Sequence, residues 1–284
     1  MTDVEERWYD SADGLRLHYR RYGATQPGLP VVCLPGITRN SRDFEDLALH
    51  LARSHPVLTP DLRGRGRSGH DPNWRNYQPR TYVDDVVRLL DDADVARAVF
   101  IGTSLGGLVS MLLAAAHRAR VAGVVLNDIG PEIGPAGLER IKSYIGRIPP
   151  VRNWDEALQQ VREIYGVAWP DLDDDMWSRI VRRGYRENED GIPVLDMDPK
   201  IGDAAREAGT SAGDPWRLFD ALHDIPALVL HGETSDILTD DIVAKMRAAK
   251  PDLAYVRVAR RGHVPLLDEP ESLAAIDEFL AGLQ

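Results

Sequence analysis

"FIGTSLGGLVSMLLAAA", residues 100–116, starts as an apolar run, breaks into glycines around Ser104, and continues as an alanine- and leucine-rich helical pattern. A strand-like run that stops at glycines and restarts with helical periodicity reads as a strand, a tight turn and a helix. Gly102 and Gly106, two residues either side of Ser104, give the clearance that a sharp turn with a strained central residue demands, and Gly107 permits close packing of the helix. A serine held at such a turn is exposed beside backbone N–H groups that can hold a developing oxyanion, and the helix N-terminus beneath it favours negative charge. The Gly-x-Ser-x-Gly spacing alone is a short pattern that arises by accident. Its position between a strand and a helix gives it weight.

Working outward, short apolar runs recur, most of them followed by a turn and a helical pattern: "VVCL" (31–34), "VLT" (57–59), "AVFI" (98–101), "VAGVVLN" (121–127), "ALVLHG" (227–232) and "AYVRV" (254–258). That alternation predicts a mainly parallel sheet covered by helices on both faces. Strands around Glu6–Tyr9 and Leu15–Tyr22 flank the turn signal "SADG" and read as an antiparallel hairpin at the sheet edge. The rhythm stops after residue 128. Residues 129–221 are rich in Arg, Glu and Trp, carry no apolar run suited to a buried strand, and read as an inserted, mostly helical cap between two core segments, 1–128 and 222–284. Asn153 and Asp173 are the expected N-caps of two of its helices.

The 284 residues are 43% hydrophobic and 28% charged, ample apolar material for a sizeable core. With 34 Lys+Arg against 45 Asp+Glu the formal charge is -11, which repels phosphate backbones and anionic lipid. Neither nucleic acid nor a membrane is an expected partner. The single cysteine, Cys33, excludes an internal disulfide and sits in an apolar run as a buried structural thiol. The start "MTDVEERWYD" has no basic stretch followed by an apolar one, and no run of roughly 18 apolar residues occurs. The expectation is a soluble, cytoplasmic protein; the oligomeric state is not legible.

With "GTSLGG" as its elbow, the chain resembles the α/β-hydrolase superfamily over nearly its whole length. "LPGITRN" (34–40) resembles the oxyanion loop that usually reads His-Gly, and "DLRGRGRSG" (61–69) resembles a signature of the branch holding esterases, lactonases, C–C bond hydrolases and cofactor-free haloperoxidases. "HGETSDIL" (231–238) and "RRGHVPLLDEP" (260–270) resemble the acid and histidine segments, in the family order Ser, Asp, His. The departure is Pro35, which replaces the common histidine before Gly36 and removes a side chain that often braces that loop.

The resemblance implies Ser104 as nucleophile, His263 as base and Asp236 as the acid that orients it, with Asp128, at the end of "VVLND", as the alternative acid. Oxyanion donors are the N–H groups of Ile37 and Leu105. Asp61 reads as structural, organising backbone N–H groups or Arg63, and His231 as structural too. Among the tryptophans of the inserted segment, Trp154, Trp169, Trp177 and Trp216 are candidates to line an apolar pocket, and Trp154 and Trp177 are taken as the substrate contacts.

The expected activity is hydrolysis of an apolar small-molecule carboxylic ester or lactone through an acyl-enzyme on Ser104, without metal or organic cofactor. Serine at the elbow argues against the dehalogenase and epoxide-hydrolase branches, which use aspartate there. A C–C bond hydrolase, a cofactor-free perhydrolase or haloperoxidase, and a non-catalytic binding protein on the same fold are the alternatives.

Overall fold

The hairpin expected around "SADG" forms from β1 (Val4–Asp10) and β2 (Arg16–Tyr22), paired antiparallel from Val4 opposite Tyr22 to Asp10 opposite Arg16. After it come β3 (Val31–Leu34), α1 (Glu45–Leu51), β4 (Val57–Asp61), α2 (Pro79–Asp92), β5 (Ala98–Thr103), α3 (Leu105–Ala116) and β6 (Val121–Asn127). β3, β4 and β6 have no exposed residue, the mark of strands covered on both faces. The computed structural model describes residues 4–207 and 214–283. Residues 1–3, 208–213 and 284, which the sequence reading assigns to the core and to the inserted segment, lie outside them.

Beyond β6 the chain leaves the sheet. It forms α4 (Pro135–Tyr144), α5 (Trp154–Tyr165), α6 (Asp174–Gly184), a short hairpin of β7 (Tyr185–Glu187) and β8 (Pro193–Leu195), α7 (Ile201–Glu207) and α8 (Trp216–Asp220). Asn153 accepts the N–H of Glu156 and Asp173 that of Met176, so both expected caps are in place. The hairpin was not anticipated: "YRENEDGIPVL" turns at Asn188 to Gly191, where Gly191 takes φ +74° and the Asn188 side chain accepts two N–H groups. The segment has a small core of its own, including Val151, Ala157, Val161, Trp177 and Ile180.

The sheet resumes with β9 (Ala227–Gly232), followed by α9 (Asp240–Ala249), β10 (Ala254–Val258) and α10 (Pro270–Ala281). The eight strands lie in the order β1-β2-β4-β3-β5-β6-β9-β10, antiparallel at the β1, β2 and β4 side and parallel from β4 onward. Helices cover both faces, and one apolar cluster fills each side. This is the α/β-hydrolase fold. Parallel strands put their carboxyl ends along one edge, so the turns after β3, β5, β6 and β9 and the loop after β10 converge there. Among the described residues no helix is long and apolar enough to cross a membrane.

Candidate active site

Ser104 stands between β5 and α3 at φ +51°, ψ -111°, a conformation that costs a non-glycine residue strain. The surroundings enforce it. A Cβ on Gly102 would run into the backbone of Gly106, and one on Gly106 into the carbonyl oxygen of Leu34. Strand, turn and helix are therefore in backbone contact with each other and with β3, and only glycine fits at either point.

The imidazole of His263 meets this serine, with 3.0 Å between Nε2 and Ser104 Oγ. His263 is buried in the loop after β10, and that loop is held from two sides. The Gly262 N–H donates to the carbonyl of Ala168 in the inserted segment at 2.8 Å. Glu269, a residue the sequence reading passed over, accepts from Arg261 Nε and from the N–H groups of Leu266 and Leu267.

On its other nitrogen, Nδ1, His263 faces Asp128 Oδ2 at 2.8 Å. The Asp128 side chain is fully buried just beyond β6, and it also accepts the Gly232 N–H at 2.8 Å and the Ser235 hydroxyl at 2.6 Å. Asp236, expected in this place, is elsewhere engaged. Both of its oxygens take a guanidinium edge of Arg140 on α4, Nε at 2.6 Å and Nη2 at 2.7 Å. That bidentate pair holds the Asp236 carboxyl below the usual carboxylate range. The expectation for Asp236 is thus corrected in favour of Asp128, because an arginine of the inserted segment captures one carboxylate while β9 and its following turn supply donors to the other.

The N–H groups of Ile37 and Leu105 have no acceptor among the described residues. Both border the serine: a methyl built on Gly36 would stand 3.9 Å from Ser104 Cβ, and Leu105 opens α3. The loop that carries Ile37 is braced from another loop. Arg65, fully buried, donates Nε to the Ile37 carbonyl at 2.9 Å and Nη1 to the Arg63 carbonyl and the Tyr82 hydroxyl. Its guanidinium lies 5.0 Å from the centre of the Tyr82 ring. "RGRGR" was the signal in the sequence, with nothing to say which arginine turns inward.

Asp61 does organise backbone, accepting the N–H groups of Ser41 and Arg67 at 2.7 and 2.9 Å and facing His18 Nδ1 at 2.7 Å. Arg63 pairs instead with Asp85, Asp71 and Asp13. His231 is buried against the Tyr255 hydroxyl.

A cleft opens over Ser104 and His263, with Phe44, Tyr144, Tyr165, Trp169, Ile180 and Leu266 among its walls. Trp169 stacks on Tyr165 with 5.0 Å between ring centres and donates its indole N–H to the Val264 carbonyl. Neither tryptophan taken as a substrate contact borders this space. Trp177 is buried against Trp169, and Trp154 packs at the edge of the segment's own core, under the Arg182 guanidinium and bonded to Glu187. Trp216 bonds Glu132 and packs on Phe219.

A serine hydroxyl on an imidazole, itself on a buried carboxylate and beside free backbone donors, is an arrangement suited to attack on a carbonyl carbon. Comparison with known proteins agrees in kind. The profile of the Alpha/beta hydrolase family matches residues 31–276. A 3-hydroxybutyrate-oligomer hydrolase of Cupriavidus necator is 32% identical over 276 residues, covering 94% of this chain and 93% of its own. A 2-(acetamidomethylene)succinate hydrolase of Mesorhizobium japonicum is 28% identical over 86% of this chain and 85% of its own. The crystal structure of an alpha/beta hydrolase from Novosphingobium aromaticivorans superposes with a TM-score of 0.93 at 47% identity, covering 99% of both chains.

Proposed function

The chain belongs to the alpha/beta hydrolase family, and on that premise we propose that it is a serine hydrolase that cleaves carboxylic esters through an acyl-enzyme on Ser104. The observation that carries this reading is the unbroken line Ser104 Oγ, His263 Nε2, His263 Nδ1, Asp128 Oδ2, with contacts of 3.0 and 2.8 Å. His263 takes the Ser104 proton as Oγ attacks the ester carbonyl, and the oxyanion rests on the N–H groups of Ile37 and Leu105. Asp128 fixes the tautomer with Nδ1–H and stabilises the imidazolium. Collapse of the tetrahedral adduct expels the alcohol, protonated from His263. Water, deprotonated by the same imidazole, then attacks the acyl-serine and releases the acid. Residues 129–221 serve as a cap that shapes the cleft and takes no part in the chemistry.

The ester hydrolase among the relatives supports an ester made from hydroxy-acid units as the substrate class. An organophosphonate, which mimics the tetrahedral adduct once bound, tests the reading. Labelling mapped to Ser104, abolished in Ser104→Ala and strongly slowed in His263→Ala, with parallel loss of hydrolysis of a short activated ester, is the expected result. Folded protein that neither labels nor turns over any ester or lactone overturns it.

A further inference from the structure

Arg39 sits two residues after Ile37 in the loop that follows β3, where its N–H closes a turn onto the Gly36 carbonyl at 3.1 Å. A methyl built on Gly36 would stand 3.8 Å from Arg39 Cγ and 3.9 Å from Ser104 Cβ, so both side chains flank Gly36, and both residues line the cleft. The guanidinium borders the cleft, its carbon 5.9 Å from the centre of the Tyr165 ring. Nε and Nη2 bind the two oxygens of Asp43 at 2.5 and 2.7 Å.

A guanidinium presents two edges that match a carboxylate, Nε with Nη2 and Nη1 with Nη2. Asp43 occupies the first. Nη1, on the second, makes no hydrogen bond among the described residues, and it is not sealed inside the protein. The position beside it is Gly184, which offers no side chain: a Cβ there would come within 3.1 Å of Nη1 and meets no other group that close.

The rest of the cleft does not compete for an anion. Arg183, the other arginine on the lining, is covered by Asp46 at 2.8 Å and Glu45 at 3.6 Å. Asp268 also lines the cleft, and burial together with Glu269 and Asp46 raises its carboxyl above the usual range. An acid group entering the cleft is repelled by Asp46 and Asp268 and compensated at the open edge of Arg39, where a charge-assisted, two-pronged bond is stronger than a neutral one.

We propose that Arg39 is a substrate-binding residue whose free guanidinium edge takes a carboxylate of the substrate, selecting esters of hydroxy acids that keep a free acid group. This rests on the ester reading of the cleft. It makes the cleft selective for the free-acid end of such a chain.

Equilibrium binding to the Ser104→Ala protein separates this from turnover. The probes are the linear dimer of 3-hydroxybutyrate as the free acid and the methyl ester of the same dimer. The acid is expected to bind at least tenfold tighter, and Arg39→Gln to erase that preference. Gly184→Ala, which crowds Nη1 and leaves the Asp43 pair intact, is expected to weaken acid binding in the same direction, so the conclusion does not hang on how Asp43 tolerates a missing partner. Equal binding of acid and methyl ester, no binding of the acid, or a preference that survives both substitutions overturns the proposal. Turnover by the active enzyme distinguishes the two readings: hydrolysis of both dimers without discrimination leaves the esterase standing and removes Arg39. Acid-selective binding with no hydrolysis does the reverse.

Discussion

Asp128 reaches His263 because the chain turns into the left-handed region, φ +55°, at the first residue beyond β6, which aims the carboxylate along the sheet edge to a 2.8 Å contact with Nδ1. Asparagine there would present the wrong partner to the imidazole. Asp128→Asn should leave the fold intact and lower kcat on a small activated ester by about a thousandfold to ten-thousandfold. Asp236→Asn, which loosens only the tie to Arg140, should cost less than about tenfold. The two kcat values, read beside thermal melts of both variants, decide it, and the opposite ranking would return the orienting role to Asp236.

Three of the four tryptophans of the inserted segment should separate cleanly. Trp177 is core, so Trp177→Ala should destabilise by about 3–5 kcal/mol in denaturant melts. Trp154 lies outside the cleft, and Trp154→Leu should cost less than about 1 kcal/mol and leave kinetics untouched. Trp169→Ala opens the cleft wall and should change the ranking of esters of different acyl length more than it changes kcat on the smallest one. Uniform loss on every ester would make Trp169 a packing residue alone.

Acid stability should depend on Asp61. Burial on its own would raise this carboxyl, but the His18 ring and the N–H groups of Arg67 and Ser41 outweigh burial and hold it below the usual range. A carboxyl depressed by folding contributes stability that is fully present above its unfolded value, near pH 4, and is lost as pH falls through the folded one. Asp61→Asn should therefore destabilise at neutral pH, by roughly 3 kcal/mol or more for a broken buried pair. It should also flatten the decline in stability below about pH 4. Urea midpoints of both proteins from pH 3 to pH 7 measure it; parallel curves would assign the acid limb to other groups.

Much of this architecture was legible because it is written in local pattern. The runs "VVCL", "VAGVVLN" and "ALVLHG" are buried strands, and Ser104 and His263 meet because each follows a strand whose carboxyl end lies at the same edge. Choosing between Asp128 and Asp236 was not a local matter. Both follow a strand by a short step, and what separates them is Arg140, about a hundred residues from one and a dozen from the other. The tryptophans failed for a related reason: helical spacing tells which residues share a face, not whether that face meets the cleft or a neighbouring helix. The β7–β8 hairpin escaped the reading because its strands, Tyr-Arg-Glu and Pro-Val-Leu, are three residues each, too short for an alternation to show. Arg39 carried a faint signal, a basic residue just past the expected oxyanion donor, without any indication of the free edge.

The closeness of α4 to the turn after β9 bears on how such enzymes are recombined. Gly134 and Gly137 lie so near the carbonyl of Asp236 that a Cβ on either would collide with it, and Arg140 clasps the same residue's carboxylate. The first helix of the insert is thus seated on the core at the turn after β9, like a keystone on its springer. A chimera that exchanges the lid for a relative's to change substrate should splice after residue 140, so that the joint travels with the scaffold; a cut at residue 129 would graft a foreign helix onto a seat shaped for two glycines and an arginine.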